Sequence, residues 1–144
     1  MENYIADAQS RLDDLHQLMN GKRKVGSIHL GGIYIECLLK GMICMGHTVT
    51  DSSGISKWIV DGNEMSRPCH VLCSPVHRQL LGSLYDDMPS DISHALNYIQ
   101  QPEGINYIDY RYIPEESIEE EKYDYWTEQF ISVFLYLERK KHEI

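Results

Sequence analysis

Glu36 and Lys40 stand one helical turn apart in the otherwise apolar run 33–40. A carboxylate four residues before a lysine stabilises an exposed helix by roughly 0.2–0.5 kcal/mol. Here Ile33, Ile35, Leu38 and Leu39 put the pair at the edge of a core stripe, where charges persist only when paired or hydrogen-bonded. The pair is either an edge salt bridge on a core helix or part of a charged site. A second group is Tyr110-Arg111-Tyr112, inside the tyrosine-dense segment 105–113. Aromatic rings beside an arginine stack on bases or a nucleotide ring. They also serve as a buried joint whose hydroxyls satisfy backbone groups. An arginine held among aromatic rings needs a counter-charge, and Glu36 is the best candidate in the chain. The candidate ligand-binding set is therefore Glu36, Lys40, Tyr110, Arg111 and Tyr112, with Arg111 as the anion-binding group. The plainer version of the same geometry is a Glu36–Arg111 bridge that locks the fold. No catalytic residue is assigned.

Cys69, His70, Cys73 and His77 are all of types that ligate zinc. Pro68 and the helix start at Ser74 split them between loop and helix, and no second Cys-x-x-Cys completes a zinc module. Core cysteines and a surface histidine are the expectation, with no metal and no cofactor. Neither a glycine-rich phosphate loop nor a Ser-His-Asp or Cys-His nucleophile arrangement stands out.

These side chains belong to a chain of 144 residues, the length of a single domain spanning 1–144 and enough to bury a core. The net charge of −9 argues against a broad electrostatic grip on a nucleic-acid backbone. Local basic patches remain at Lys22-Arg23-Lys24 and Arg139-Lys140-Lys141, the latter also suited to a helix C-terminus. The polar N-terminus has no signal-peptide pattern, and no uninterrupted apolar run approaches the roughly 20 residues of a membrane span. A cytoplasmic setting without membrane contact is expected, in which the four cysteines are free thiols.

Helical spacing of Ile5, Ala8, Leu12, Leu15 and Leu18 predicts a first helix over about 3–19, stopped by Asn20-Gly21. A second runs over about 22–45, with Gly31, Gly32 and Gly41 inside it as points of close packing. Over 46–73 the helical period vanishes, and Asp61-Gly62 after a β-prone run reads as the turn of a small hairpin. Trp58 and Ile59 would fold this long insertion back onto the helices. Ser74-Pro75 starts a third helix and Pro89-Ser90-Asp91 a fourth. Pro114-Glu115-Glu116 is expected to open the last, with Trp126, Phe130, Val133, Phe134 and Leu137 as its buried stripe. The fold class is all-α, an antiparallel up-and-down bundle of four to five helices with a long loop or small hairpin between helices two and three.

Three motifs in order, Arg11-Leu12, the run Glu36-Cys37-Leu38-Leu39-Lys40, and Tyr110-Arg111-Tyr112-Ile113-Pro114, resemble those of the HEPN domain family. The last is similar to the Arg-Tyr-Pro signature of one branch, with an isoleucine before the proline. The resemblance spans most of the chain outside 46–73. It implies a small helical bundle that forms a homodimer or meets a partner protein such as a nucleotidyltransferase or defence protein. It further implies binding of RNA or a nucleotide in a prokaryotic toxin–antitoxin or antiviral setting. Ribonuclease members carry arginine, four to six residues, then histidine in the later half of the domain. Arg111 has no such histidine after it. The matches Arg11-x4-His16 and Arg23-x5-His29 lie in the first half, and roughly one such match is expected by chance in the whole chain. The resemblance therefore implies a non-catalytic binding module first. A metal-independent endoribonuclease toxin and a structural subunit of a larger complex are its alternatives.

Overall fold

The computed structural model describes residues 3–51 and 57–143, so part of the segment expected as a long loop, 52–56, lies outside the described residues. The fold is mostly helical, with one small sheet. Helix α1 (Tyr4–Asn20) is followed by α2 (Lys24–Gly46), then by strands β1 (Val49–Asp51), β2 (Lys57–Val60) and β3 (Asn63–Ser66). Helices α3 (Pro75–Leu80), α4 (Gly82–Asp86) and α5 (Ser90–Gln100) come next. Three short 3₁₀ segments lead into α6 (Glu120–Lys141).

α2 is the hub. It packs on α1, on α5 and α6, and on the 3₁₀ segment Tyr107–Tyr112. Helix α2 is long and apolar enough by length and composition to cross a membrane, which corrects the expectation that no run approaches such a span. Most of that apolar window is buried within the fold. Glu36 and Lys40 interrupt the apolar run, yet the helix remains apolar on average along most of its length.

The glycines of α2 mark where neighbours touch its backbone. A Cβ on Gly31 would lie 2.5 Å from the Trp126 ring, and one on Gly41 would lie 2.4 Å from Ile5. At the start of α2, Arg23 supplies no capping side chain. Glu115 does so from 91 residues away in sequence, accepting hydrogen bonds from the amides of Lys24 (2.8 Å) and Val25 (3.0 Å). A carboxylate at the positive end of a helix is favourable on both hydrogen-bonding and dipole grounds. This corrects the expected start of the last helix. Pro114-Glu115-Glu116 precede it, Glu115–Ser117 forms a 3₁₀ turn, and α6 begins at Glu120.

β1, β2 and β3 form an antiparallel sheet in that order, so the all-α expectation is corrected to a helical fold carrying a small sheet. Val60 pairs with Asn63 across Asp61-Gly62, both with positive φ (51° and 87°), the geometry a two-residue hairpin turn requires. Trp58 and Val60 face the helices and are fully buried, Trp58 packing on Tyr4 with ring centres 6.1 Å apart. Ile59 points to the other face, as strand alternation demands.

The third helix is split at Leu81 into α3 and α4. Ser74 caps α3 by accepting from the His77 amide (3.1 Å), with Pro75 at the first helical position.

Candidate functional site

The buried centre of the fold is charged. Glu36 is 8% exposed and Lys40 3%, and the lysine ammonium donates to Glu36 Oε2 at 2.7 Å. The other oxygen, Oε1, has two partners: the Tyr107 hydroxyl, and His70 Nδ1 at 2.9 Å. Burial pushes the Glu36 carboxyl up, but the Lys40 charge together with the His70, Lys40 and Tyr107 hydrogen bonds outweighs it and holds the group below its ordinary value. Glu36 is therefore a carboxylate, able only to accept. Tyr107 must donate, and burial and the nearby Glu36 charge push its phenol well above the usual range, keeping the proton on. His70 must carry a proton on Nδ1, which leaves Nε2 on the outward side of a half-exposed ring. The arrangement matches the base-and-orienter half of an acid–base dyad.

Local structure explains each position. Glu36 and Gly32 lie one turn apart on α2, and the Tyr107 ring lies over Gly32. A Cβ there would sit 2.2 Å from two ring carbons. Absence of that Cβ lets the ring lie flat against α2 and its hydroxyl reach the carboxylate one turn on. His70 is held through its backbone, since its carbonyl accepts from Gln100 Nε2 at 2.9 Å. Gln100 also takes the Leu72 amide on its other side-chain atom, so the last turn of α5 clamps the loop 70–72. Lys40 sits over the Tyr4 ring at 5.8 Å, and Tyr4 in turn accepts from Arg67 (2.8 Å).

Around the mouth stand further ionisable groups. His29 lies two turns before Glu36 on α2. Burial first, then electrostatic repulsion from Arg111 and His70, push it below its ordinary value. Its Nε2 is buried and has no hydrogen-bond partner among the described residues. Deeper in, His77 is fully buried beside Lys40 and stacks on Tyr85 with ring centres 6.4 Å apart. Burial, aided by the Lys40 charge, pushes it down to about 4.

Of the five residues expected to share a site, the structure brings together Glu36 and Lys40. Arg111 is exposed, makes no ion pair among the described residues, and stacks over Tyr112 at 4.9 Å. The expected Glu36–Arg111 bridge is absent, since Glu36 is filled by Lys40, His70 and Tyr107. Tyr110 is buried and spends its hydroxyl on the Pro102 carbonyl (2.6 Å), the joint-like role. Tyr112 is 73% exposed. Sequence reasoning passed over Tyr107 and weighed His70 only as a zinc ligand. The signal for them was stoichiometric: a buried carboxylate has about four acceptor positions, and one lysine leaves some to be filled.

No group of three or more metal-ligating side chains is gathered among the described residues. The expectation of core cysteines and a surface histidine is partly reversed, for Cys69 is exposed and His77 is fully buried. His70 is taken up by Glu36. All four cysteines are free thiols. No family model, curated protein or solved structure matches this chain.

Proposed function

We propose that this chain is a HEPN-like helical module that binds the phosphate of an RNA or nucleotide at the face shared by His29, His70 and Arg111. The observation that carries the reading is the gathering of these three groups at the mouth of the Glu36 network in a protein of net charge −9. Arg111 supplies the positive charge of this face, and a single local cation on an acidic chain selects a small anionic target rather than a long polyanion. Arg111 stacked on the exposed Tyr112 offers a guanidinium and a ring together, the combination that grips a phosphate and an adjoining base. The motif resemblance supports a prokaryotic toxin–antitoxin or antiviral setting, with a partner such as a nucleotidyltransferase. The test is fluorescence anisotropy with a short labelled single-stranded RNA and with nucleotides. Arg111→Ala should weaken binding about tenfold or more while leaving stability within about 0.5 kcal/mol, because the side chain is exposed and makes no ion pair among the described residues. Unchanged binding in that variant refutes the reading.

One observation favours a second reading, a metal-independent endoribonuclease. Glu36 fixes the tautomer of His70 and leaves Nε2 as a base facing solvent, with His29 and Arg111 nearby. Arg111 thus acts electrostatically on His29, although no histidine follows it at the ribonuclease spacing in the chain. RNA cleavage by purified protein in the presence of a chelator, abolished by His70→Ala or Arg111→Ala, would establish it over simple binding.

A further inference from the structure

Away from the Glu36 site, one polar side chain joins three elements. His47 follows the last residue of α2, and its ring lies between the β2–β3 turn and the end of α3. Nδ1 stands 2.7 Å from Oδ2 of Asp61, and Nε2 stands 2.9 Å from the carbonyl oxygen of Leu80. Hydrogen bonds from His47 and the Thr48 amide hold the Asp61 carboxyl below its ordinary value, so it is a carboxylate. A carboxylate and a backbone carbonyl can only accept. A neutral imidazole has one N–H, serves one of these oxygens and turns a lone pair towards the other. The imidazolium, with two N–H groups, satisfies both.

The surroundings favour the charged ring. α2 has no basic residue in its last turn, and His47 caps it, its amide donating to the Ile43 carbonyl at 2.9 Å. Leu80 is the last residue of α3, where carbonyls lack a partner within the helix. A cation placed here is favoured by the negative end of α2 as well as by Asp61. Asp61 is the charged group that acts on His47. On α3, Arg78 lies over the Tyr85 ring and His77 is buried beside Lys40, while Asp51 of β1 acts on Cys44. The Asp61 hydrogen bond, then the Leu80 carbonyl, raise His47 above its ordinary value against the opposing effect of burial.

Bond strength decides which contact yields when the ring loses a proton. A charged acceptor holds an N–H about twice as strongly as a neutral one. Asp61 is also tied to Thr48 twice: Oδ1 accepts from its amide (2.9 Å), and the Asp61 amide donates to its carbonyl (2.9 Å). The neutral ring therefore keeps its proton on Nδ1 towards Asp61 and gives up Leu80. Leu80 and Asp61 both line a cleft of about 540 Å³ between α3 and the β2–β3 hairpin.

We infer that His47 is a protonation-controlled latch, which as an imidazolium ties the two walls of this cleft together and as a neutral imidazole releases α3. β3 and α3 bracket the segment that carries His70, so the latch sets how firmly the base of that segment is held. It stands on the geometry at His47 alone, whether or not the anion-binding reading holds. Because the folded value is raised, the contribution is complete below about 6.5 and is lost as the pH rises through the folded value.

Two measurements on the full chain test this. Heteronuclear NMR of the His47 ring should show both nitrogens protonated at low pH and a midpoint above 6.5. Asp61→Asn, which suits the left-handed backbone at that position, should move the midpoint down. Hydrogen exchange of the α3 amides, corrected for its intrinsic pH dependence, should quicken roughly two- to fivefold as the pH rises through the midpoint. His47→Ala should exchange at the faster level at every pH, with unchanged helical circular dichroism because the ring is half-buried at the surface. If that variant loses its helical signal, the wild-type midpoint and its shift in Asp61→Asn decide. A midpoint at or below 6.5, a midpoint unmoved in Asp61→Asn, or the same pH-dependent rise in His47→Ala as in the wild type would overturn the proposal.

Discussion

Replacing Gly32 by alanine should detach Tyr107 from Glu36, and the size of the effect follows from the packing. The new methyl would sit 2.2 Å from Cγ and Cδ2 of Tyr107 and 2.7 Å from its Cβ, so the ring must move. Overpacking of this kind costs about 1–3 kcal/mol. Losing a hydrogen bond to a charged acceptor adds about 1.5–3 kcal/mol. Alanine in a helix interior returns about 1 kcal/mol relative to glycine. The net is a loss of about 1.5–5 kcal/mol, read by urea denaturation followed by circular dichroism. The cause is separable from a general intolerance of α2. In a Tyr107→Gly background all three of these carbons are gone, and Gly32→Ala should then be neutral or stabilise by up to about 1 kcal/mol. The two substitutions should therefore fall short of additivity by about 3 kcal/mol. An equal cost of Gly32→Ala in both backgrounds would refute the idea that this glycine exists to seat Tyr107.

Lys40→Met should destabilise by about 3–5 kcal/mol, because it strands a buried carboxylate, and adding Glu36→Gln to it should recover much of that loss in the same denaturation assay. His77 takes up a proton near pH 4 when folded and near its ordinary 6.5 when unfolded, so the unfolded chain protonates first as pH falls. Its contribution should be complete above about pH 6.5 and should be lost progressively down to pH 4, by about 3 kcal/mol in all. A pH series of unfolding free energies for the wild type and His77→Leu checks this, since the difference between them should shrink across that window. A constant difference would mean that His77 does not titrate as its burial requires.

Much of the local structure was legible from residues near one another in the chain. The Glu36–Lys40 contact depends only on the pitch of one helix, Ser74-Pro75 on the chemistry of a helix start, and Asp61-Gly62 on the positive φ that a tight hairpin turn needs. Gly31, Gly32 and Gly41 were readable as points of close approach because a glycine within a helix is costly unless something packs there. The identity of what packs there was not readable. Tyr107 and Glu36 are 71 residues apart, and nothing local relates them. Which side chain of the tyrosine-rich segment turns inward was decided by its 3₁₀ conformation, with three residues per turn. That period puts Tyr107 and Tyr110 on the buried side and turns Arg111 and Tyr112 to solvent, where an extended strand would put Tyr107 and Tyr110 on opposite faces. The same limit applies to Glu115, which lies near α6 in sequence but caps α2 in space. Sequence by itself determined which groups had to find partners, because a buried charge or an uncapped helix end is expensive wherever it lies. Only the tertiary structure decided which partners they found, because hydrogen-bond geometry depends on distances that the order of residues does not contain.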